Sequence, residues 1–178
     1  MRYVALLRGI NVGGKAKVDM KELRATFERR GFEDVVTYIN SGNVVFSTGR
    51  AGRDVLGARI EGAIAEDVGF PVAVTLRTGK ELATLLDAVP SSWVNGSSMK
   101  CDVYFLWPEI DRPSIVDRLP HDPAIEDVRY VKGAVIRRID RADAARSPMT
   151  KIVGTDLYRR LTARNINTVR TLHRLATS

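Results

Sequence analysis

Cysteine and histidine are nearly missing from this chain. Cys101 stands alone, which excludes an intrachain disulfide, and two histidines are too few for a usual metal-ligating cluster. No apolar run approaches the length that crosses a bilayer, and Arg8 interrupts the first apolar stretch too early for a secretory leader. A cytoplasmic protein is expected, with no cofactor and no membrane partner; its oligomeric state stays open. The chain has no Gly-x-Ser-x-Gly elbow and no histidine in its glycine-rich loops, which argues against a Ser-His-Asp hydrolase. Val44-Val45-Phe46 lacks the aromatic–glycine pattern of an RNA-recognition strand. Cys101 has no base near it in sequence and reads as a structural thiol at a strand edge.

What is present is unevenly placed. The 178 residues suffice for one sizeable core or two small ones, and the net charge is +7. Residues 129–178 carry twelve Lys and Arg against three Asp, while the preceding 128 residues hold sixteen cations against eighteen acids. A basic C-terminal segment fits an anionic partner (nucleic acid, a phosphorylated small molecule or an acidic protein) or a solvated surface.

The apolar pattern orders the first half. Tyr3 to Leu7 reads as a strand. Asp19-Met20-Lys21-Glu22 is a capping-box pattern that opens a helix, with Met20, Leu23 and Phe27 on one face and Gly31 as the stop. Val35 to Ile39 and Val44 to Phe46 flank the turn Asn40-Ser41-Gly42-Asn43 as a hairpin. Leu56, Ile60, Ala63, Ile64 and Val68 give a second helix, and Val72, Val74 and Leu76 a fourth strand. The order β-α-β-β-α-β predicts an α+β, ferredoxin-like first half over residues 1–77.

A second half over 78–178 is expected to begin at the capping box Thr78-Gly79-Lys80-Glu81. Asp102 to Trp107 reads as a strand, Ile115 to Leu119 as a short helix, and Val128–Val131 with Ala134–Ile139 as a hairpin about Lys132-Gly133. Helical segments are expected from there to the end, including Arg164 to Leu175. This half resembles the first in element order without an obvious last strand, and no residue-level repeat is visible.

The candidate site is Arg8-Gly9-Ile10-Asn11-Val12-Gly13-Gly14-Lys15, between the first strand and the first helix. Glycines turn the backbone sharply and bare its amides, and cations attract an anion. Gly9-x-x-x-x-Gly14-Lys15 imitates a phosphate-binding Walker loop, but Ala16 replaces the magnesium-binding hydroxyl and the helix starts too late. In the predicted topology this loop lies beside the Asn40–Asn43 turn. Arg8, Asn11, Gly13, Gly14 and Lys15 would hold a phosphate or carboxylate, with Asn40, Ser41, Gly42 and Asn43 orienting it and Arg164 and Asn165 closing it from the C-terminal segment.

Three blocks carry a family resemblance: Leu6 to Lys15, Thr37 to Phe46, and Thr162 to Val169. They resemble the bacterial family catalogued as domain of unknown function 1697, departing from it at Ala16 and Ile166, where a polar and an aromatic residue are usual. The resemblance implies a two-repeat α/β architecture and no established activity. Three functions follow as expectations. The first is an anion-binding protein for a phosphate-bearing small molecule, a nucleotide or a nucleic-acid backbone. The second is a phosphoryl or acyl-phosphate hydrolase at the same site, by analogy of fold alone. The third is a protein-interaction module that uses the basic tail.

Overall fold

Alternating apolar side chains in β1 (Arg2–Leu7) send Tyr3, Ala5 and Leu7 into one core. β1 runs antiparallel to both β3 (Asn43–Ser47) and β4 (Val74–Thr78), and β3 pairs with β2 (Glu33–Tyr38) at the edge. The sheet order β2-β3-β1-β4, with α1 (Met20–Arg29) and α2 (Arg53–Val68) in the crossovers, is ferredoxin-like. The Asp19 carboxylate caps α1 by accepting from the amides of Lys21 and Glu22, and α2 ends at Gly69 in the left-handed region, φ +84°. Phe27, Phe32 and Phe46 pack ring against ring at 4.9–5.5 Å, and Tyr3 stacks on Phe46 at 6.0 Å.

The computed structural model describes residues 1–49 and 51–178 and divides the chain into two units. Residues 1–80 with 172–178 form the first, and residues 81–171 the second, so the last seven residues group with the first unit. In sequence that division reads as a simple break at residue 77. α3 (Gly79–Asp87) follows β4, and among the described residues no helix is long and apolar enough to cross a membrane.

The second unit repeats the strand order. β5 (Met99–Leu106), β6 (Glu126–Val131), β7 (Ala134–Asp140) and β8 (Leu161–Asn165) pair as β6-β7-β5-β8. The crossovers hold only 3-10 turns. Pro108–Ile110 and Pro113–Arg118 stand where α1 stands in the first unit. Ala144–Arg146, Pro148–Ile152 and Tyr158–Arg160 replace α2. Three of these five turns begin with proline, which suits a first helical residue, and 3-10 runs stay short because their hydrogen bonds are poorly aligned. α4 (Ile166–Thr177) ends the chain.

Several expectations change here. The missing last strand is β8, inside what reads in sequence as helical. Asn165 ends that strand and caps α4, its Oδ1 accepting from the Thr168 amide at 2.9 Å. The short helix expected at Ile115–Leu119 is the 3-10 turn Pro113–Arg118, with Leu119 at its C-terminal cap. Cys101 sits in β5, between β7 and β8, and is fully buried rather than at an edge. A residue-level repeat also exists. Thr75-Leu76-Arg77 in β4 and Thr162-Ala163-Arg164 in β8 make the same clasp. Each arginine Nη1 donates to the threonine hydroxyl two residues back and to the carbonyl one residue back, at 2.7–3.0 Å.

Candidate functional site

The end of β1 is tied to the asparagine turn by the backbone. The Leu7 amide donates to the Gly42 carbonyl at 2.8 Å, and the Arg8 amide to that of Ala73 at 2.9 Å. Gly42 is required here. Its φ is +80°, and a Cβ would meet Leu7 Cβ at 2.7 Å and Ile10 Cδ1 at 2.8 Å. Asn11 then joins three segments. Its Nδ2 donates to the carbonyls of Val18 and Asn40, each at 2.9 Å, and its Oδ1 accepts from the Val18 amide at 2.9 Å. The two expected loops are therefore in contact, held by one half-buried amide side chain.

The glycines shape a small hairpin. Asn11 N–H donates to Ala16 O at 3.0 Å and Lys15 N–H to Val12 O at 3.1 Å, with Gly13 and Gly14 between them at φ +59° and +73°. Positive φ at both central residues is the type I′ turn. The Lys15 amide is thus spent inside the loop and leaves the donor set expected for an anion. Among the described residues none bonds the amides of Gly13 and Gly14, and both residues are exposed. α1 begins at Met20, five residues past Lys15, so the geometry is not that of a Walker loop.

A cavity of about 460 Å³ opens beside this hairpin, lined by Asn11, Gly14, Lys17, Val18, Asp19, Met20 and Asn40. Lys17 escapes a motif-based reading, although its spacing of two from Lys15 is visible. The Asn40 carbonyl is held by Asn11, whereas Asn43 is fully buried and donates to Tyr38 O at 2.9 Å and Ser41 Oγ at 3.0 Å. Asn43 and Ser41 thus shape the turn. Arg164 and Asn165 belong to the second unit. Arg164 is buried in β8, where desolvation pushes its pKa down to about 10, and Asn165 caps α4.

Backbone strain gathers at the same place. Among the described residues, four other than glycine have positive φ: Asn11 (+53°), Ala16 (+50°), Asp34 (+51°) and Ile39 (+49°). Three of them lie in the two touching loops. A β-branched residue there is a genuine outlier, and Ile39 is also 48% exposed.

Part of the basic tail is paired with carboxylates of its own unit. Arg129 pairs with Asp127, Arg137 with Glu126, Arg138 with Asp140, Arg146 with Asp143 and Arg159 with Asp156, at 2.6–3.1 Å.

A family model described as "Protein of unknown function (DUF1697)" matches residues 1–136. The chain belongs to the DUF1697 family. That match spans both loops of the site and stops before Arg164. Conserved bacterial protein SP0830 from Streptococcus pneumoniae is similar to this DUF1697 protein throughout, at 25% identity over 98% of each chain with a TM-score of 0.83. No curated protein matches it.

Proposed function

We propose that the paired loops of the first unit bind a small phosphate-bearing anion. The observation that carries this reading is a shared lining: Gly14, from the hairpin tip with its unbonded amide, and Lys17 face one cavity. A bare amide and an ammonium together supply directional donors and charge. The clustered strain supports a site as well, since each such residue costs about 1–3 kcal/mol and persists where function or tight packing holds it. Among the described residues Asp19 is the one carboxylate lining the cavity, and it is occupied in capping α1. That favours binding over hydrolysis. A bacterial cytoplasm is the setting this reading takes.

The test is an amide-resolved NMR titration with inorganic phosphate and with ATP. Shifts concentrated at Gly13, Gly14, Lys17 and Asn40 are expected, and Lys15→Ala/Lys17→Ala should weaken binding about tenfold, the scale of one or two charge-assisted contacts. Binding should also weaken with added salt, and a steep slope with a single-stranded oligonucleotide would make the ligand a nucleic-acid backbone. Shifts scattered over the molecule, or none, would end the proposal.

A further inference from the structure

The second unit carries a different cavity, and the strand registers show how it arose. In the first unit Tyr3 faces Phe46 across β1–β3, and Ala5 faces Leu76 across β1–β4. In the second, Asp102 faces Arg137 across β5–β7, and Tyr104 faces Ala163 across β5–β8. Equivalent places thus hold a stacked aromatic pair in one unit and a carboxylate with a guanidinium in the other. Ala163, where the first unit has Leu76, leaves space.

That space is about 290 Å³, with Lys100, Asp102, Tyr104 and Arg137 on the sheet side and Met149 and Ile152 on the other. Arg137 is 4% exposed in its side chain. Its Nη2 donates to Glu126 Oε1 at 3.1 Å and to Ser147 Oγ at 2.7 Å, and its Nη1 lies 3.6 Å from Asp102 Oδ2. Its Nε is buried with no partner. Lys100 Nζ stands 3.5 Å from Asp102 Oδ2. A single water occupies only about 30 Å³, so one bridging water does not account for the room. Two cations face two carboxylates around Arg137, and a ligand with net charge would upset that balance in a low-dielectric site. A net-neutral molecule bearing both signs and a short apolar body fits both the charges and the Met149–Ile152 side.

We propose that this cavity is a binding site for a free α-amino acid with an aliphatic side chain. Its carboxylate is taken by the Arg137 guanidinium and Lys100, its ammonium by Asp102, and its side chain by Met149 and Ile152. The reading is independent of the anion site in the first unit.

The experiment is NMR of the full chain, titrated with each free amino acid to about 10 mM, where even millimolar affinity is visible. Leucine, isoleucine, valine or methionine should shift Tyr104, Thr150 and Ala163, while inorganic phosphate leaves those signals in place. Ala163→Leu, a change at an exposed position, restores the first unit's side chain and should weaken binding at least tenfold. Lys100→Ala, at the half-exposed rim, should weaken it severalfold and serves if Ala163→Leu misfolds. Three results would overturn the proposal: no amino acid shifting these residues, shifts unchanged in both variants, or the matching amine or carboxylic acid alone binding as tightly as the amino acid.

Discussion

Phe46 and Arg137 occupy matching places in two sheets of one strand order, and the contrast runs through everything around them. Phe46 is closed in by Tyr3, Phe27 and Phe32 beneath two helices. Burying such a ring is worth about 1.5–3 kcal/mol and asks nothing of its neighbours but shape. Arg137 lies under 3-10 turns and reaches Glu126, Asp102 and Ser147. A buried ion pair adds little net stability but is costly to break, because the survivor stays charged and dry. The same topology therefore tolerates an apolar solution where helices cover the sheet and a polar one where short turns leave a cavity.

The sharpest test of that contrast uses both places. Phe46→Ala should cost about 3–5 kcal/mol as a cavity, and Arg137→Ala about 3–5 kcal/mol as a stranded Glu126, both read from urea unfolding. Only the second should be rescued by neutralising its partner, with Arg137→Met/Glu126→Gln recovering most of the loss. A cost below about 1 kcal/mol for Arg137→Ala would mean the network is screened like a surface pair. Gly42→Ala comes next, at about 2–4 kcal/mol for positive φ and overpacking against Leu7 and Ile10. Gly13→Ala, with open space around it, should cost about 1 kcal/mol.

Alkaline pH should separate the units. Burial pushes the Cys101 thiol from 9.0 up to about 11. The folded chain keeps this proton where the unfolded chain loses it, so the stabilisation is full below pH 9 and declines as pH rises to 11, by about 3 kcal/mol. Chemical denaturation across that range, with Cys101→Ala as the flattened control, checks the sign. Tyr104, also raised by burial to about 12, should extend the decline. The smallest change has the opposite sign. Ile39→Gly should stabilise the first unit by about 1 kcal/mol by releasing a β-branched residue from φ +49°, and if Ile39 helps seat a ligand, phosphate binding falls as the melting temperature rises.

Much of the first unit was legible because each element carries its own signal. Met20, Leu23 and Phe27 mark a helical face, Asp19 caps it, and the Asn-Ser-Gly-Asn turn sits between two β-rich runs. β8 was not legible in the same way. Leu161-Thr162-Ala163-Arg164-Asn165 has ordinary helix formers, and it becomes a strand because β5 offers an unpaired edge. Its one local clue was Asn165, a good cap for the helix that follows. At the site, the glycines announced a turn, but whether their amides face an anion or each other depends on bond pairing. The Lys15 amide went inward to Val12. The charge of the basic tail depends on the fold for a related reason: Glu126, which lies before residue 129, meets Arg137 only once β6 and β7 pair.

Local spacing thus determined the α+β character, the first unit's element order and the position of the glycine and asparagine turns, because these depend on neighbours a few residues apart. Only tertiary structure decided the last strand, the Asn11 clamp joining two loops, and the replacement of an aromatic pair by Asp102 and Arg137 beside a cavity. Those depend on residues far apart in the chain, whose hydrogen bonds and charges acquire meaning when the fold removes the water between them.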